Sequence, residues 1–411
     1  MPIFSWLTSV PLLTWLILAD VAPYSTLLPG DINSRWYLHL PLLAAICLPS
    51  VPSLWRTKLL PAGYWWFLVW VAITITYTPD RITASGRMMT WLLVLAAVCR
   101  IASQVHNEAD LHVLFDTFLK TCTALVWINA LAIPFASGWN IDENNGLNRF
   151  QGFADQPNEI GALMAAMVQT SILHWPKCRW KKWLVTSVVA SIVMAFMADS
   201  RTPFVTTAVG VATWLAWKYR TKGVLAAAVI LLALVLLKSS NSPYISRGME
   251  TYNGRSMYWA FEEHKIAQRP LFGYGYGIEG RLFIQSPDFR DAWFVEYTPH
   301  SSLQNGYLSL AIGIGVLGAG AFLYLILRPW VNLFVMKRGN VLLKSAFFLV
   351  VVPRLVYSMS ESGIETLKGY DGLLTFLVWL LAERYRRERL RRTKMAAMPP
   401  IDHRMQALLS C

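Results

Sequence analysis

Runs of about 17–25 apolar residues recur along this 411-residue chain, and that length crosses the hydrocarbon core of a bilayer. The composition agrees, because 55% of the residues are hydrophobic and only 15% are charged. It excludes an ordinary soluble protein and a disordered chain. The fold class predicted is an all-α polytopic membrane protein with about twelve transmembrane helices. Their centres lie near residues 12, 45, 69, 93, 122, 165, 190, 211, 231, 316, 348 and 377.

Clusters of lysine and arginine fall in alternate short loops and in the tail 384–392. By the positive-inside rule these loops are cytoplasmic, and both termini lie on the cytoplasmic side. Much of the net charge of +13 then lies near anionic lipid and does not indicate nucleic acid binding. The clusters in the loops are Arg56/Lys58, Lys177/Arg179/Lys181/Lys182, Lys218/Arg220/Lys222 and Lys337/Arg338.

A polar segment of about sixty residues interrupts the apolar pattern and would lie on the extracytoplasmic side. The predicted organisation is spans one to nine over 1–238, a large external loop over 239–302, three spans over 303–385 and a basic cytoplasmic tail over 386–411. Within the loop, Arg255–Gln268 reads as an amphipathic helix that can lie on the membrane surface. Such a loop suits an enzyme acting on a lipid-linked substrate better than a transporter.

Two arginines are candidates for binding an anionic group. Arg201 begins a predicted span after Asp199, with Pro203 in the first helical turn, and a helix N-terminus favours anions. An arginine fork there can hold a phosphate through two hydrogen bonds. The alternative is an interfacial anchor paired with Asp199. Arg255 opens the amphipathic helix and can reach a cavity among the spans, or it is a simple surface charge.

His300 is the candidate general base. It follows Pro299 at the external mouth of a span, and neutral imidazole is available at ambient pH. A structural histidine is the alternative. Glu159 enters a span after an external loop, where an ionisable group suggests function or only complements the helix dipole. Tyr274 lies in a Gly-Tyr run that can stack on sugars, although a structural turn is the preferred interpretation.

The chain offers no pattern typical of a metal or cofactor site. No Cys/His cluster has zinc spacing, and the external loops hold no metal-binding group of acidic residues. The five cysteines fall in spans or on the cytoplasmic side, so no disulfide framework is expected. We therefore predict no metal and no cofactor.

Four motifs together resemble the O-antigen ligase/polymerase superfamily, which consists of C-type polytopic glycosyltransferases that use undecaprenyl-diphosphate-linked glycans. The Gly-Arg…Trp…Pro-Leu-x-Gly-x-Gly pattern is the most specific of them. One departure concerns the histidine, because Gln304-Asn305 occupies the register in which the superfamily often has His-Asn. His300 lies one helical turn earlier and can reach the same space, with Gln304 as a substrate-binding neighbour. The motifs are Asn148–Gly152 with Gln156–Asn158, Asp199–Arg201, Gly254-Arg255 through Trp259 to Pro270–Gly275, and His300-Ser301 followed by Gly315–Gly318.

The resemblance implies transfer of a glycan from undecaprenyl diphosphate on the periplasmic side of a bacterial inner membrane. His300 would abstract the acceptor proton, while Arg201 and Arg255 would hold the diphosphate and stabilise its departure. Arg149 and Arg290 would add contacts to donor or acceptor phosphates. A single displacement would invert the anomeric carbon without a metal.

The modest length and compact tail favour an O-antigen ligase whose acceptor is lipid A–core. An O-antigen polymerase stays open as the nearest alternative. A lipid-linked glycan flippase would need alternating access and internal repeats, and the sequence shows no such repeats. A membrane scaffold whose external loop only binds a partner is a further alternative.

Overall fold

The computed structural model describes residues 12–14, 16, 60–135, 139–142, 147–154, 157–239, 255–286, 305–335, 340–361 and 369–396. Within these ranges the protein is mostly helical, with one short hairpin of β1 (Trp139–Asp142) and β2 (Leu147–Phe150). The helices before the central polar segment are α1 (Ala62–Tyr77), α2 (Arg81–Gln104), α3 (Glu108–Ala130), α4 (Pro157–His174), α5 (Lys181–Met197) and α6 (Arg201–Ser239). Those that follow are α7 (Arg255–Gln268), α8 (Glu279–Ile284), α9 (Gly306–Val335), α10 (Val341–Ala346), α11 (Val352–Tyr357) and α12 (Gly369–Ala396).

Several helices begin at a side chain that accepts a backbone N–H of the first turn, which satisfies a donor that has no partner inside the helix. The carboxylate of Asp80 accepts the Thr83 N–H at 3.0 Å before α2. Asn107 and Asp110 form a reciprocal capping box before α3. Helix boundaries that the apolar pattern leaves open are therefore fixed locally by polar residues.

Every predicted span centre from residue 69 to residue 377 falls in a helix, and the centre near 348 lies in a π-helical turn, Phe347–Val351, that joins α10 to α11. By length and composition, three of the described helices, α2, α3 and α9, could cross a membrane, and α1 is a shorter apolar helix. This is consistent with a membrane protein. The number of twelve spans, their orientation and the domain boundaries stay predictions. The centre near residue 45 lies outside the described residues, and around the centre near 12 only residues 12–14 and 16 are described, all helical.

The spans predicted around residues 211 and 231 form one continuous run of helical residues that is bent at Arg220. Arg220 has φ 49° and ψ −121°, which is not helical. Lys218 lies just before this bend, with its ammonium 4.6 Å from the centre of the Trp214 ring. A sharp change of direction at a single residue explains how two apolar runs follow each other without a loop between them.

The helices pack in two neighbouring groups. In the first, α1, α2, α9 and α12 surround a buried aromatic cluster that contains Tyr64, Trp91, Phe322 and Trp379. The indole of Trp379 also donates to the carbonyl oxygen of Leu325 at 3.0 Å, so this ring is both packed and hydrogen-bonded. The second group contains α3, α4, α5, α6 and α11, and α12 also contacts α4.

Helix α9 is broken at Gly315, and the Gly-Tyr run before α8 closes the break. Gly315 has φ 75°, so its neighbours cannot complete the regular hydrogen-bond ladder. Val316 N–H instead donates to the Pro270 carbonyl oxygen at 2.8 Å. In return, the carbonyl oxygens of Ile312 and Gly313 accept the N–H groups of Tyr274 and Gly275, each at 2.8 Å. The Gly-Tyr run is thus a structural turn, as the preferred interpretation of the sequence has it.

Helix α1 buttresses this turn from the other side. The Tyr77 hydroxyl donates to the Phe272 carbonyl oxygen at 2.6 Å, and the Trp70 indole donates to the Ile314 carbonyl oxygen at 3.0 Å. The rings of Trp70 and Phe272 stack at 5.4 Å between centroids. The break in α9 is therefore held by two separate parts of the chain.

Replacement of Gly315 by alanine should destabilise the protein. The residue needs a positive φ, and a Cβ atom at Gly315 would overlap the carbonyl group of Leu271. We expect a loss of about 2–3 kcal/mol in unfolding free energy, because backbone strain adds to the steric conflict. The thermal midpoint of the purified protein in detergent measures this change.

Gly320→Ala is the matched control, because Gly320 lies in the same helix and a Cβ there meets nothing within 4 Å. This control should leave the midpoint unchanged or raise it slightly. Equal midpoints for the two variants would contradict the brace described above.

Candidate functional site

A group of polar side chains converges at one end of the helix bundle, and we call it the polar cluster: Arg149, Asn158, Asp199, Arg201 and Glu361. It forms where α4 and α6 begin and where α5 and α11 end. The β1–β2 hairpin supplies the first of these side chains, because Arg149 lies in β2 opposite Asn140. Two of the superfamily-like motifs, around Arg149 and around Arg201, thus meet in space.

Arg149 is half-buried and holds the end of α5. Its Nε donates to the Ala198 carbonyl oxygen at 3.0 Å, and its Nη2 is 3.5 Å from the Asp199 carbonyl oxygen. The same Nη2 donates to the side-chain oxygen of Asn158 at 3.1 Å. A cation at these carbonyls satisfies the negative end of the α5 dipole. Arg149 therefore fixes the turn that leads into Arg201.

Arg201 is paired with Asp199 two residues earlier. Its Nε lies 3.1 Å from one carboxylate oxygen of Asp199, and its Nη2 lies 3.4 Å from the other. About a third of the Arg201 side chain remains exposed, at 33%. The anchoring pair considered from the sequence is thus present, and it orients the guanidinium while leaving part of it accessible.

Asp199 itself has φ 46°, a left-handed conformation that a non-glycine residue adopts at an energetic cost of about 1 kcal/mol. Aspartate tolerates it better than most residues. The next residue, Ser200, is 2% exposed and packs against Gly161 of α4, where a Cβ atom would overlap its hydroxyl. This close approach of the chain to α4 fixes the start of α6 and therefore the position of Arg201.

Glu361 connects the polar cluster to the start of α9. Its carboxylate accepts from the Asn158 side-chain nitrogen at 3.3 Å. Its carbonyl oxygen and that of Ser358 both accept the Gly306 N–H, at 3.0 and 2.8 Å. Near them, Ser360 Oγ lies 3.5 Å from Thr202 Oγ1. The first residue of α9 is thus bound to the turn that carries Glu361.

The contact of Gly306 with the turn of Glu361 is relevant to the predicted base, because that base precedes α9 in the sequence. His300 and Gln304, like Arg290, lie outside the described residues, and their roles stay predictions. The chain that follows Gln304 nevertheless enters α9 at Asn305 and Gly306, beside Glu361. The segment that carries the candidate base therefore leads into the end of the bundle that holds Arg149 and Arg201.

Arg255 is the first residue of α7, and the structure describes only its backbone. Helices α7 and α9 run in the same direction. Glu262 of α7 contacts Ser309 of α9, and the run after α7 reaches Ile312, farther along α9. Position 255 lies about 10 Å before Glu262 along the helix axis. The start of α7 and the start of α9 therefore lie at the same end of the bundle.

Two further predicted residues have defined surroundings. Glu159 lies in the first turn of α4, directly after Asn158, and is half-buried. Tyr274 lies in the turn that braces α9. Its hydroxyl donates to the side-chain oxygen of Gln268 at 2.8 Å, and the Arg269 guanidinium lies 4.7 Å from its ring centre. Partial burial raises the pKa of Tyr274, an effect that the positive charge of Arg269 opposes. A direct contact of either residue with substrate stays a prediction.

Glu361 and Asn158 belong to the polar cluster, but the sequence does not single them out as site residues. Asn158 lies in one of the superfamily-like motifs, but its contact with Glu361 joins residues 203 positions apart. The signal that the sequence offers for Glu361 is its position as an ionisable residue after a predicted span. Among the described residues, no group of three or more His, Cys, Asp or Glu side chains could hold a metal ion.

Comparison with known proteins agrees with the motifs. Residues 186–323 match a family model described as O-antigen ligase. The matched part runs from within α5 to within α9 and includes Arg201, Arg255 and the Gly-Tyr run, whereas Arg149 and Glu361 lie outside it. No curated protein sequence matches the chain. The match over residues 186–323 confirms the resemblance seen in the sequence motifs and supports assigning this chain to the O-antigen ligase/polymerase superfamily.

Proposed function

We propose that the protein is an O-antigen ligase that transfers a glycan from undecaprenyl diphosphate to a sugar hydroxyl of lipid A–core. The observation that carries the proposal is the convergence of Arg149, Arg201 and the start of α9 at one end of the bundle. The family match, which includes Arg201 and Arg255, supports a glycosyltransferase of the ligase or polymerase class. The reaction would take place on the periplasmic face of the inner membrane.

In this proposal the arginines bind the diphosphate. Asp199 holds the Arg201 guanidinium through two of its nitrogens, so that a phosphate meets a cation that is already oriented. Arg255, at the start of α7, is the second diphosphate ligand. Arg149 positions the turn before Arg201, and Arg290 adds a phosphate contact. Fixed cations stabilise the negative charge that grows on the leaving diphosphate without reorganisation during the reaction.

His300 is the general base. Its neutral imidazole accepts the proton of the acceptor hydroxyl as that oxygen attacks the anomeric carbon of the donor sugar. The new glycosidic bond forms while the bond from the anomeric carbon to the diphosphate oxygen breaks. Undecaprenyl diphosphate leaves with the bonding electron pair, and a single displacement inverts the anomeric carbon. Gln304, Tyr274 and Glu159 contribute further contacts to the substrates.

A transfer assay tests this function. The purified protein is incubated with a glycan on undecaprenyl diphosphate and with lipid A–core, with and without excess EDTA. We expect lipopolysaccharide of higher mass under both conditions, because arginines rather than a metal carry the charge. Lengthening of the donor glycan without acceptor would instead identify an O-antigen polymerase. Donor that is bound but never converted would point to a flippase.

Replacement of Arg201 by alanine should lower kcat/KM for transfer by about 100- to 1,000-fold, as expected for the loss of one oriented charge donor, about 3–4 kcal/mol. The assay above measures it. Arg179→Ala is the matched control, because Arg179 is an exposed arginine near the other end of α5. Normal transfer by Arg201→Ala would contradict the role of the polar cluster.

Replacement of His300 by alanine should abolish transfer while donor binding persists, because the base acts in the chemical step and not in holding the diphosphate. Equilibrium binding of radiolabelled donor and the transfer assay separate the two effects. His264→Ala serves as the control, since His264 lies exposed on α7 beside Gln268. Loss of donor binding together with transfer in His300→Ala would contradict the assignment of His300 as a base.

A further inference from the structure

A carboxyl group is buried completely between α7 and α9. Glu262 is 0% exposed, and one of its oxygens accepts the hydroxyl of Ser309 at 2.7 Å. The other oxygen, Oε2, is also buried and makes no hydrogen bond to the residues that the structure describes. Buried polar atoms are nearly always satisfied, so this arrangement needs an explanation.

The surroundings of Glu262 favour its neutral form. An apolar cluster that includes Phe261, Phe283 and Ile312 lies next to it. The charged groups that act on it are two carboxylates, Glu279 of α8 and Glu263 of α7. Glu279 is itself bound at 3.1 Å by Arg87 of α2. The element that packs over Glu262, α9, presents the hydroxyl of Ser309.

These surroundings raise the pKa of Glu262 to about 8. Burial is the main cause, the negative charges of Glu279 and Glu263 add to it, and the hydrogen bond from Ser309 opposes it. At neutral pH the carboxyl therefore keeps its proton. Ionisation would leave an unpaired charge in an apolar environment, which is costly unless the group moves into water.

The Glu262–Ser309 contact joins the two segments that carry the proposed site. Helix α7 starts at Arg255, and Ser309 lies in the first turn of α9, directly after the segment of Gln304. The N–H of Ser309 also donates to the Asn305 carbonyl oxygen at 2.9 Å, so Ser309 belongs to the turn that Gln304 enters. Movement of Glu262 away from Ser309 would separate the start of α7 from the start of α9.

We propose that Glu262, in its protonated form, is a positioning residue that locks the middle of α7 against the first turn of α9 and thereby holds the two halves of the transferase site together. The role of Glu262 in the transferase site rests on the proposed function. The lock between α7 and α9 does not. Neither the motifs nor the family match assigns a role to this residue.

The pH dependence of the lock has a defined sign. In the docked form Glu262 has a pKa of about 8, whereas a released, solvated glutamate has the ordinary pKa of 4.5. Between these values the released form has lost its proton and the docked form has not. Docking is therefore strongest below pH 4.5, weakens as the pH rises, and stops changing above about 8.

Hydrogen exchange tests the lock without any substrate. Exchange rates of α7 amides and of the first turns of α9 are measured at pH 6 and pH 8 in the wild type and in Glu262→Gln, which keeps the hydrogen-bond acceptor and cannot ionise. Comparison of the two proteins at one pH cancels the base catalysis of exchange itself. The ratio of wild-type to variant rates should rise about tenfold or more between pH 6 and pH 8.

Glu263→Gln is the matched control, because Glu263 is the next residue on α7, is exposed and takes the same substitution. It should follow the wild type. The lock would be overturned if the ratio of wild-type to Glu262→Gln exchange rates stayed constant with pH. It would also be overturned if Glu263→Gln behaved like Glu262→Gln.

The transfer assay at the same two pH values tests the positioning role. Glu262→Gln should exceed the wild type by a severalfold larger factor at pH 8 than at pH 6. Glu262→Leu, which cannot accept from Ser309, should lose transfer at both. Coincident pH profiles of the wild type and Glu262→Gln would overturn the positioning role. Absence of transfer by the wild type itself would refute the proposed function, and the exchange result would then still decide whether the lock exists.

Discussion

The exchange of backbone hydrogen bonds between the broken helix α9 and the Gly-Tyr run is the constraint on which the arrangement of this protein depends. A helix that is interrupted at Gly315 leaves N–H and carbonyl groups without partners, and in an apolar environment each such group costs several kcal/mol. The run 270–275 supplies the missing partners with its own backbone. Because that run directly follows α7, satisfying α9 also brings α7 alongside it. The start of α7 and the start of α9 are in this way delivered to one end of the bundle.

At that end the polar cluster solves a different problem. For the proposed function, arginine side chains must be held in place without losing the capacity to meet an anion. Arg149 donates to the Ala198 carbonyl oxygen and to Asn158, which gives it a structural role, and a phosphate contact of Arg149 stays a prediction. Arg201 is oriented by Asp199 on one side and partly exposed on the other. Both depend on the unusual backbone of Asp199, which turns the chain from α5 into α6. This backbone strain beside two arginines agrees with the proposed function, because strained residues cluster at active sites.

The parts of the structure that depend on local signals could be predicted. Helices follow the apolar runs, the amphipathic helix begins at Arg255 as the periodicity predicts, and the glycines of the Gly-Tyr run indicate a tight turn. The parts that depend on distant contacts could not. The burial of Glu262 requires Ser309 of α9, and the contact of Asn158 with Glu361 joins two segments with no shared local pattern. A glutamate next to a second glutamate on a surface helix gives no sign that one of the two is buried.

The short hairpin that carries Arg149 has a consequence for how the length of this chain can vary. In a two-stranded ladder successive side chains point to opposite faces, and Arg149 lies opposite Asn140 in a register of only four residue pairs. An insertion in the connection between the strands, at 143–146, leaves that register intact and can be absorbed. A single residue inserted between Arg149 and the start of α4 would either be looped out or turn the guanidinium away from Ala198. Variation in length is therefore absorbed more easily at the tip of the hairpin than between Arg149 and α4.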